Sequence, residues 1–388
     1  MTVDTSTASS AGIDDPGPAA GTGRAEGVDP VRAEPFGPYL DLGRRPGSAI
    51  HARELLQAVD RPPADPVPWQ IIHPAPFRNL LAATAPRPTA IERVDGLDPD
   101  RRSAAWDRLV AAVERPESAA AAEWAATILT RLGFFHQAEQ LLSRSRQHRD
   151  ERWAAFCLFL LEVCRSRTGT ATAGRPMWDL AHREGVWPPV RLLALAATMV
   201  KLATSQRHPV DELSRLHRLG CRLEAAADDG LAPDDAALYR STYWRGASFL
   251  PFHDGDLDET LRWLDRAEAL AAGAGRPADR AVVGMTLYPV VETRSRVLRF
   301  AARPDAACEA LERLRQLDPY DHRCLVKLGD THRELGQRSR AAACYRAAVA
   351  LGYPYSAHAT RLLDDLIGDP TADEGAPRPA DGRRRNRP

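Results

Sequence analysis

The residues best placed to do chemistry lie between 253 and 259, His253-Asp254-Gly255-Asp256-Leu257-Asp258-Glu259. Alternating acids are the raw material of a calcium loop, which needs a glycine at its sixth position and a glutamate at its twelfth. Glu259 and Asp265 stand in those places. The stretch therefore reads as a turn between helices, with Asp256 or Asp258 capping the one that follows. The glycine pair in GTGRAEG, residues 21–27, has no strand before it and so lacks the setting of a dinucleotide site. No P-loop, GxSxG, HExxH or kinase motif set is present. Cysteines 157, 164, 221, 308, 324 and 344 form no CxxC and no zinc-like spacing, and read as small buried apolar residues. Cys157 and Cys164 share a helical face, but a seven-residue separation, about 10 Å, is too long for a disulfide. These patterns assign no catalytic residue, metal or cofactor.

Composition narrows the class. The 388 residues carry 52 basic and 52 acidic side chains, so no net field draws the chain to nucleic acid or to an anionic membrane. Three consecutive arginines at 383–385 are too few for a specific DNA contact. The only lysines are Lys201 and Lys327; with abundant alanine, that skew reads as the codon bias of a GC-rich bacterial genome. The first 30 residues are acidic and rich in Gly, Ala and Pro, unlike a signal peptide, and no apolar run of about 18 residues offers a membrane span. A reducing cytoplasm is the expected location. Oligomeric state stays open.

The elements that would position a site are helical throughout. Residues 1–35 have the composition of a disordered tail. Residues 36–97 are Pro-rich: Ser48 caps a possible short helix, and the run containing Trp69, Ile71, Ile72 and Phe77 is extended and wraps the first helices. From 98 onward, apolar residues recur at three and four: Trp106, Leu109, Val110 and Val113, then a hairpin broken at Leu132-Gly133. Trp153–Cys164 is apolar nearly all round, which predicts burial on both sides. Two further hairpins follow, with Pro188, Pro189 and Pro209 at helix starts. Pro251 predicts a kink or an early helix end. An insertion of 13 residues between Thr260 and Ala307 makes 276–300 a long or broken helix.

The most regular stretch is 322–355. Leu325, Leu328-Gly329 and His332 are followed by Ala341, Tyr345 and Ala348, and Pro354 closes the unit. Ala307 and Leu311 stand 34 residues before Ala341 and Tyr345, and Pro319 falls in the expected place after them, with Pro354 one residue late. This pattern resembles the tetratricopeptide repeat (TPR), with His332 in place of the usual tyrosine and Arg294 where a leucine is wanted. The resemblance implies an all-α right-handed superhelical solenoid of antiparallel helix pairs over 98–367. Its best repeats are 288–321 and 322–355, 356–367 is a capping helix, and 368–388 is a disordered tail.

The resemblance also implies a concave groove lined by the first helix of each pair. Its exposed positions would include Arg245, Phe249, Phe252 and His253, then Glu292, Arg296 and Arg299, then Arg323, Asp330, Arg333 and Glu334. Arginines there can grip carboxylate or phosphate through paired hydrogen bonds. The family's carboxylate clamp uses Lys and Asn at set positions, and this chain lacks them there. The function implied is a non-enzymatic adaptor or scaffold holding a peptide or partner protein. The alternative is an enzyme, or an enzyme subunit, with a pocket in the irregular middle, 177–300.

Overall fold

The computed structural model describes residues 62–66, 93–96 and 99, then 104–368 apart from 133, 145–147, 169–174, 206–209, 228–229, 275–279, 318–321 and 351–355. The expected tails, the Ser48 helix, the anchors Trp69 to Phe77, and Pro209, Pro319 and Pro354 lie outside the described residues. Among the described residues the chain is helical without strands. In order the helices are α1 (Ala104–Glu114), α2 (Ala119–Leu132), α3 (Phe135–Arg144), α4 (Glu151–Thr168) and α5 (Arg175–His182). There follow α6 (Pro188–Ser205), α7 (Val210–Ala225), α8 (Pro233–Ala247), α9 (Phe249–Asp254) and α10 (Leu257–Gly273). The last are α11 (Arg280–Phe300), α12 (Pro304–Leu317), α13 (His322–Glu334), α14 (Arg338–Ala350) and α15 (Ser356–Gly368).

Their main contacts join helices that are near neighbours in the chain; the longest reach spans three helices, α6 to α9 and α8 to α11. The buried apolar residues follow the same order. One core runs from Val94 to Val297, a second from Tyr288 to Leu328, and a third gathers Ala341, Tyr345 and Leu366. No single helix here could bury its apolar stripe alone, and stacking neighbours supplies the missing partner surface.

Local chemistry sets the helix boundaries. Proline opens α6, α8 and α12, where a missing N–H breaks no helical bond. Pro251 has no N–H to reach Ala247, and the chain breaks just there: α8 ends at Ala247, and α9 starts after Ser248. Gly255, at φ 84°, takes the left-handed turn that ends α9. Asp256 then caps α10, its Oδ1 accepting the Glu259 N–H at 2.9 Å, so the acidic run is a capped turn. The 280–300 segment is one helix despite Pro289 inside it. Arg294, the misfit to the repeat pattern, bonds Asp265 at 2.6 Å and Glu268 at 3.3 Å and so ties α11 to α10.

The described part of the first helix is Ala104–Glu114, and before it Val94, Asp95 and Gly96 form a short 3-10 turn whose Val94 carbonyl accepts the Trp106 indole N–H at 2.8 Å. One expectation is corrected. Burial of α4 on both sides fails at Leu158, which is 40% exposed, because only Trp153, Ala155, Phe156, Cys157, Leu160 and Cys164 face neighbours closely.

The repeat-like residues meet at one contact. Leu325, Leu328, Ala341, Tyr345 and Ala348 are all buried. Gly329 lies against the Tyr345 ring so closely that a methyl group there would overlap it. Tyr345 is held in place by its hydroxyl, which donates to Asp330 at 2.7 Å. Gly329→Ala should therefore destabilise the protein by about 1–2 kcal/mol in urea denaturation, although alanine is the better helix former. Gly273→Ala, with open space around it, should be neutral or stabilising.

Residues 62–66, which bend at Ala64 and Asp65, are held by residues far along the chain. The Ala64 carbonyl accepts the Trp153 indole N–H at 2.9 Å, and the Pro66 carbonyl accepts the Tyr239 hydroxyl at 2.9 Å. Arg149 donates to the Pro63 carbonyl, and Arg152 pairs with Asp65 at 2.8 Å. Proline lacks the donor needed to join a helix or sheet, but its carbonyl remains free to accept.

Candidate functional site

The expected groove residues do not behave as one set. Arg245, on α8, is half-buried, and no hydrogen bond within the protein satisfies its Nε. Burial lowers its pKa to about 10; Glu292 opposes that shift and Arg296 adds to it. Both lie on α11, so Arg245, Glu292 and Arg296 come together. Glu292 also accepts from Lys327 of α13 at 2.6 Å. Arg296 is exposed, and no ion pair among the described residues engages it or Arg245.

A second arginine pair lies nearby in kind. Arg323, exposed at the start of α13, faces Arg167 at the end of α4. Arg167 is reached by solvent, yet burial lowers its pKa and the Arg323 charge lowers it further.

The other candidates have local partners. Phe249 is 8% exposed and belongs to the main core, which corrects its expected place as an exposed groove residue; the break at Ser248 turns the start of α9 inward. Phe252 is half-buried and packs against Phe300, with ring centroids 5.9 Å apart. His253 Nε2 bonds the Ala203 carbonyl at 3.0 Å, meeting an unpaired acceptor in the last turn of α6. Arg299 pairs with Glu334 at 2.6 Å, and Arg333 lies 3.8 Å from Asp330, which already serves Tyr345. His253, Arg296 and Arg299 thus turn in different directions.

Sequence reasoning missed an aromatic and polar cluster on α7, α8 and α10. His217 stacks on Trp263 at 4.7 Å and lies against Tyr243 and Trp244. The Tyr243 hydroxyl lies 2.8 Å from His217 Nδ1, and Cys221 Sγ lies 3.6 Å from His217 Nε2. Glu224 accepts from the Trp244 indole at 2.7 Å and from Arg266 at 2.9 Å, while Arg266 covers the Trp244 ring at 3.8 Å. The clue in the sequence was His217, Cys221 and Glu224 at spacings of four and three, one face of α7. Cys221 is also exposed, against the expectation of buried cysteines, while burial raises the Cys164 thiol to about 12 and the Cys344 thiol to about 11.

One set of potential metal donors lies elsewhere: Glu123, His148 and Cys157, from α2, the turn before α4, and α4. No helix among the described residues is long and apolar enough to cross a membrane. No protein-family model matches the chain, and no curated protein matches it.

Burial lowers the pKa of both His217 and His253 below 6.5. The unfolded chain therefore binds more protons than the folded one as pH falls through 6.5, and stability drops on the acid side. The melting temperature should be lower at pH 5.5 than at pH 7.5, and His217→Gln should remove part of that difference. An unchanged pH dependence in the variant would assign the effect to other groups.

Proposed function

We propose that the protein is a TPR-type interaction module, an adaptor or scaffold whose helical array curls into a superhelix and holds an extended, acidic segment of a partner protein. The observation that carries this reading is Arg245, whose half-buried guanidinium has no hydrogen-bond partner at Nε among the described residues and feels the charges of Glu292 and the exposed Arg296. Carboxylates entering between two guanidiniums replace like-charge repulsion with bidentate hydrogen bonds. This is a different device from the Lys and Asn clamp that the chain lacks. Support for the curl comes from the run of contacts between helices that are near neighbours in the chain. Support for an occupant gripped by its main chain comes from residues 62–66, which the helices already hold by their carbonyl oxygens.

The test is fluorescence anisotropy of a labelled hexaglutamate peptide against a hexalysine control. The acidic peptide should bind, weaken with added salt, and lose about tenfold in affinity, ~1.4 kcal/mol, in Arg245→Ala/Arg296→Ala. Equal binding by variant and wild type would reject these arginines as the site.

A second reading, an enzyme acting through the irregular middle of the chain, draws on Cys221, His217 and Tyr243. If Nδ1–H of His217 donates to the Tyr243 hydroxyl, which in turn donates to the His217 carbonyl at 3.2 Å, Nε2 is left to accept from the Cys221 thiol. Iodoacetamide should then alkylate Cys221 faster at pH 7 in wild type than in His217→Gln. Equal rates would remove this reading.

A further inference from the structure

We infer that Glu123, His148 and Cys157 form a zinc site that fastens the turn before α4 onto α2. Each offers one donor atom, a carboxylate oxygen, a ring nitrogen and Sγ, and these all lie within 4.8 Å of one another. Zinc binds these atoms at about 2.0–2.3 Å, which sets donors roughly 3–4 Å apart in a tetrahedron. The set closes on the metal by contracting, without moving a helix.

The environment is built for a charged occupant. Glu123 is fully buried on α2, among apolar neighbours that include Trp124 and Ala126. Its Oε1 accepts from His148 Nδ1 at 3.0 Å and from the Arg149 backbone N–H at 3.2 Å. Its Oε2 has no hydrogen-bond partner, and the closest cation, Arg149 Nε, stands 3.6 Å away and is itself without one. A buried carboxylate oxygen with an unused lone pair is expensive to maintain. A metal ion uses that lone pair.

The donor types select the ion. One sulfur, one nitrogen and one oxygen suit zinc, whereas calcium and magnesium take oxygen ligands. Binding releases the Cys157 thiol proton to solvent, and His148 gives up the Nδ1 proton it shares with Glu123 while Nε2 takes one from solvent, so the neutral ring turns an Nδ1 lone pair to the metal. Thiolate and carboxylate then balance the two positive charges of zinc. Arg149 stays in place, because its guanidinium also donates to the Pro63 and Ala120 carbonyls. The His148 side chain is 28% exposed, which gives the ion its entry path and a water its place in the fourth position. The linear sequence hides the set, since its members are 25 and 9 residues apart and belong to no zinc-like spacing.

The test uses the full chain, stripped with a chelator and titrated with zinc against a chromophoric competitor, and with cobalt in parallel. The expected result is one tightly held equivalent, and for cobalt a thiolate charge-transfer band in the near ultraviolet. Cys157→Ser should abolish the band. His148→Gln, a change at the rim that leaves the fold intact by circular dichroism, should weaken zinc by at least about tenfold. Cys221→Ser should leave both readouts unchanged. The assignment is overturned if no zinc is held, if several weak equivalents bind regardless of these variants, or if the cobalt band follows Cys221 instead of Cys157.

Discussion

The packing of tyrosine rings onto helical glycines is the contact on which the array depends. Tyr345 meets Gly329 across the α13–α14 hairpin, and Tyr243 meets Gly220 across α7 and α8 in the same way. Gly246 brings α8 within backbone contact of Ala196 on α6. At each point a missing side chain lets two helices approach closely, and at Gly220 and Gly329 a fully buried Tyr243 or Tyr345 ring fills the space. Both rings carry a hydroxyl with a polar partner, Asp330 or His217, so orientation is fixed as well as distance. Helices this short, propped against neighbours, hold together only as a series.

Much of this was legible in the residues. The glycines and alanines of 322–355 stood at the spacing that close packing needs, and Pro251 and Asp256 announced a break and a cap that physical rules make nearly obligatory. The individual polar partnerships were not legible. Phe249 was expected at a surface because a repeat pattern assumes unbroken helices, and the break at Ser248 turned it inward. His253 was a candidate ligand until the end of α6 supplied a carbonyl 3.0 Å from its ring. Periodicity assigns a residue to a face; which neighbour meets that face depends on how successive helices stack, and that is not local information. The same limit hid Glu123, whose partners His148 and Arg149 come from the turn before α4, and the Tyr243 hydroxyl that α8 brings to Cys221.

The charges divide into two kinds. Arg294, Arg299 and Lys327 each meet an acid on another helix and serve to join the array. Arg245 instead feels a second arginine, Arg296, as well as the acid Glu292. A neutral sequence can therefore carry a concentrated field at one place, because net charge averages over exactly the distances that screening removes.

The grip on residues 62–66 runs through main-chain oxygens for the most part. Such a grip reads the course of a chain more than its side chains, so substitutions along the segment leave it largely intact. It is also tethered. A segment joined covalently to its own docking surface rebinds there by an intramolecular step, at an effective concentration set by the chain between them. A foreign chain arriving at the same donors competes with that built-in occupant, and weak visitors are turned away before any contact of their own is tested.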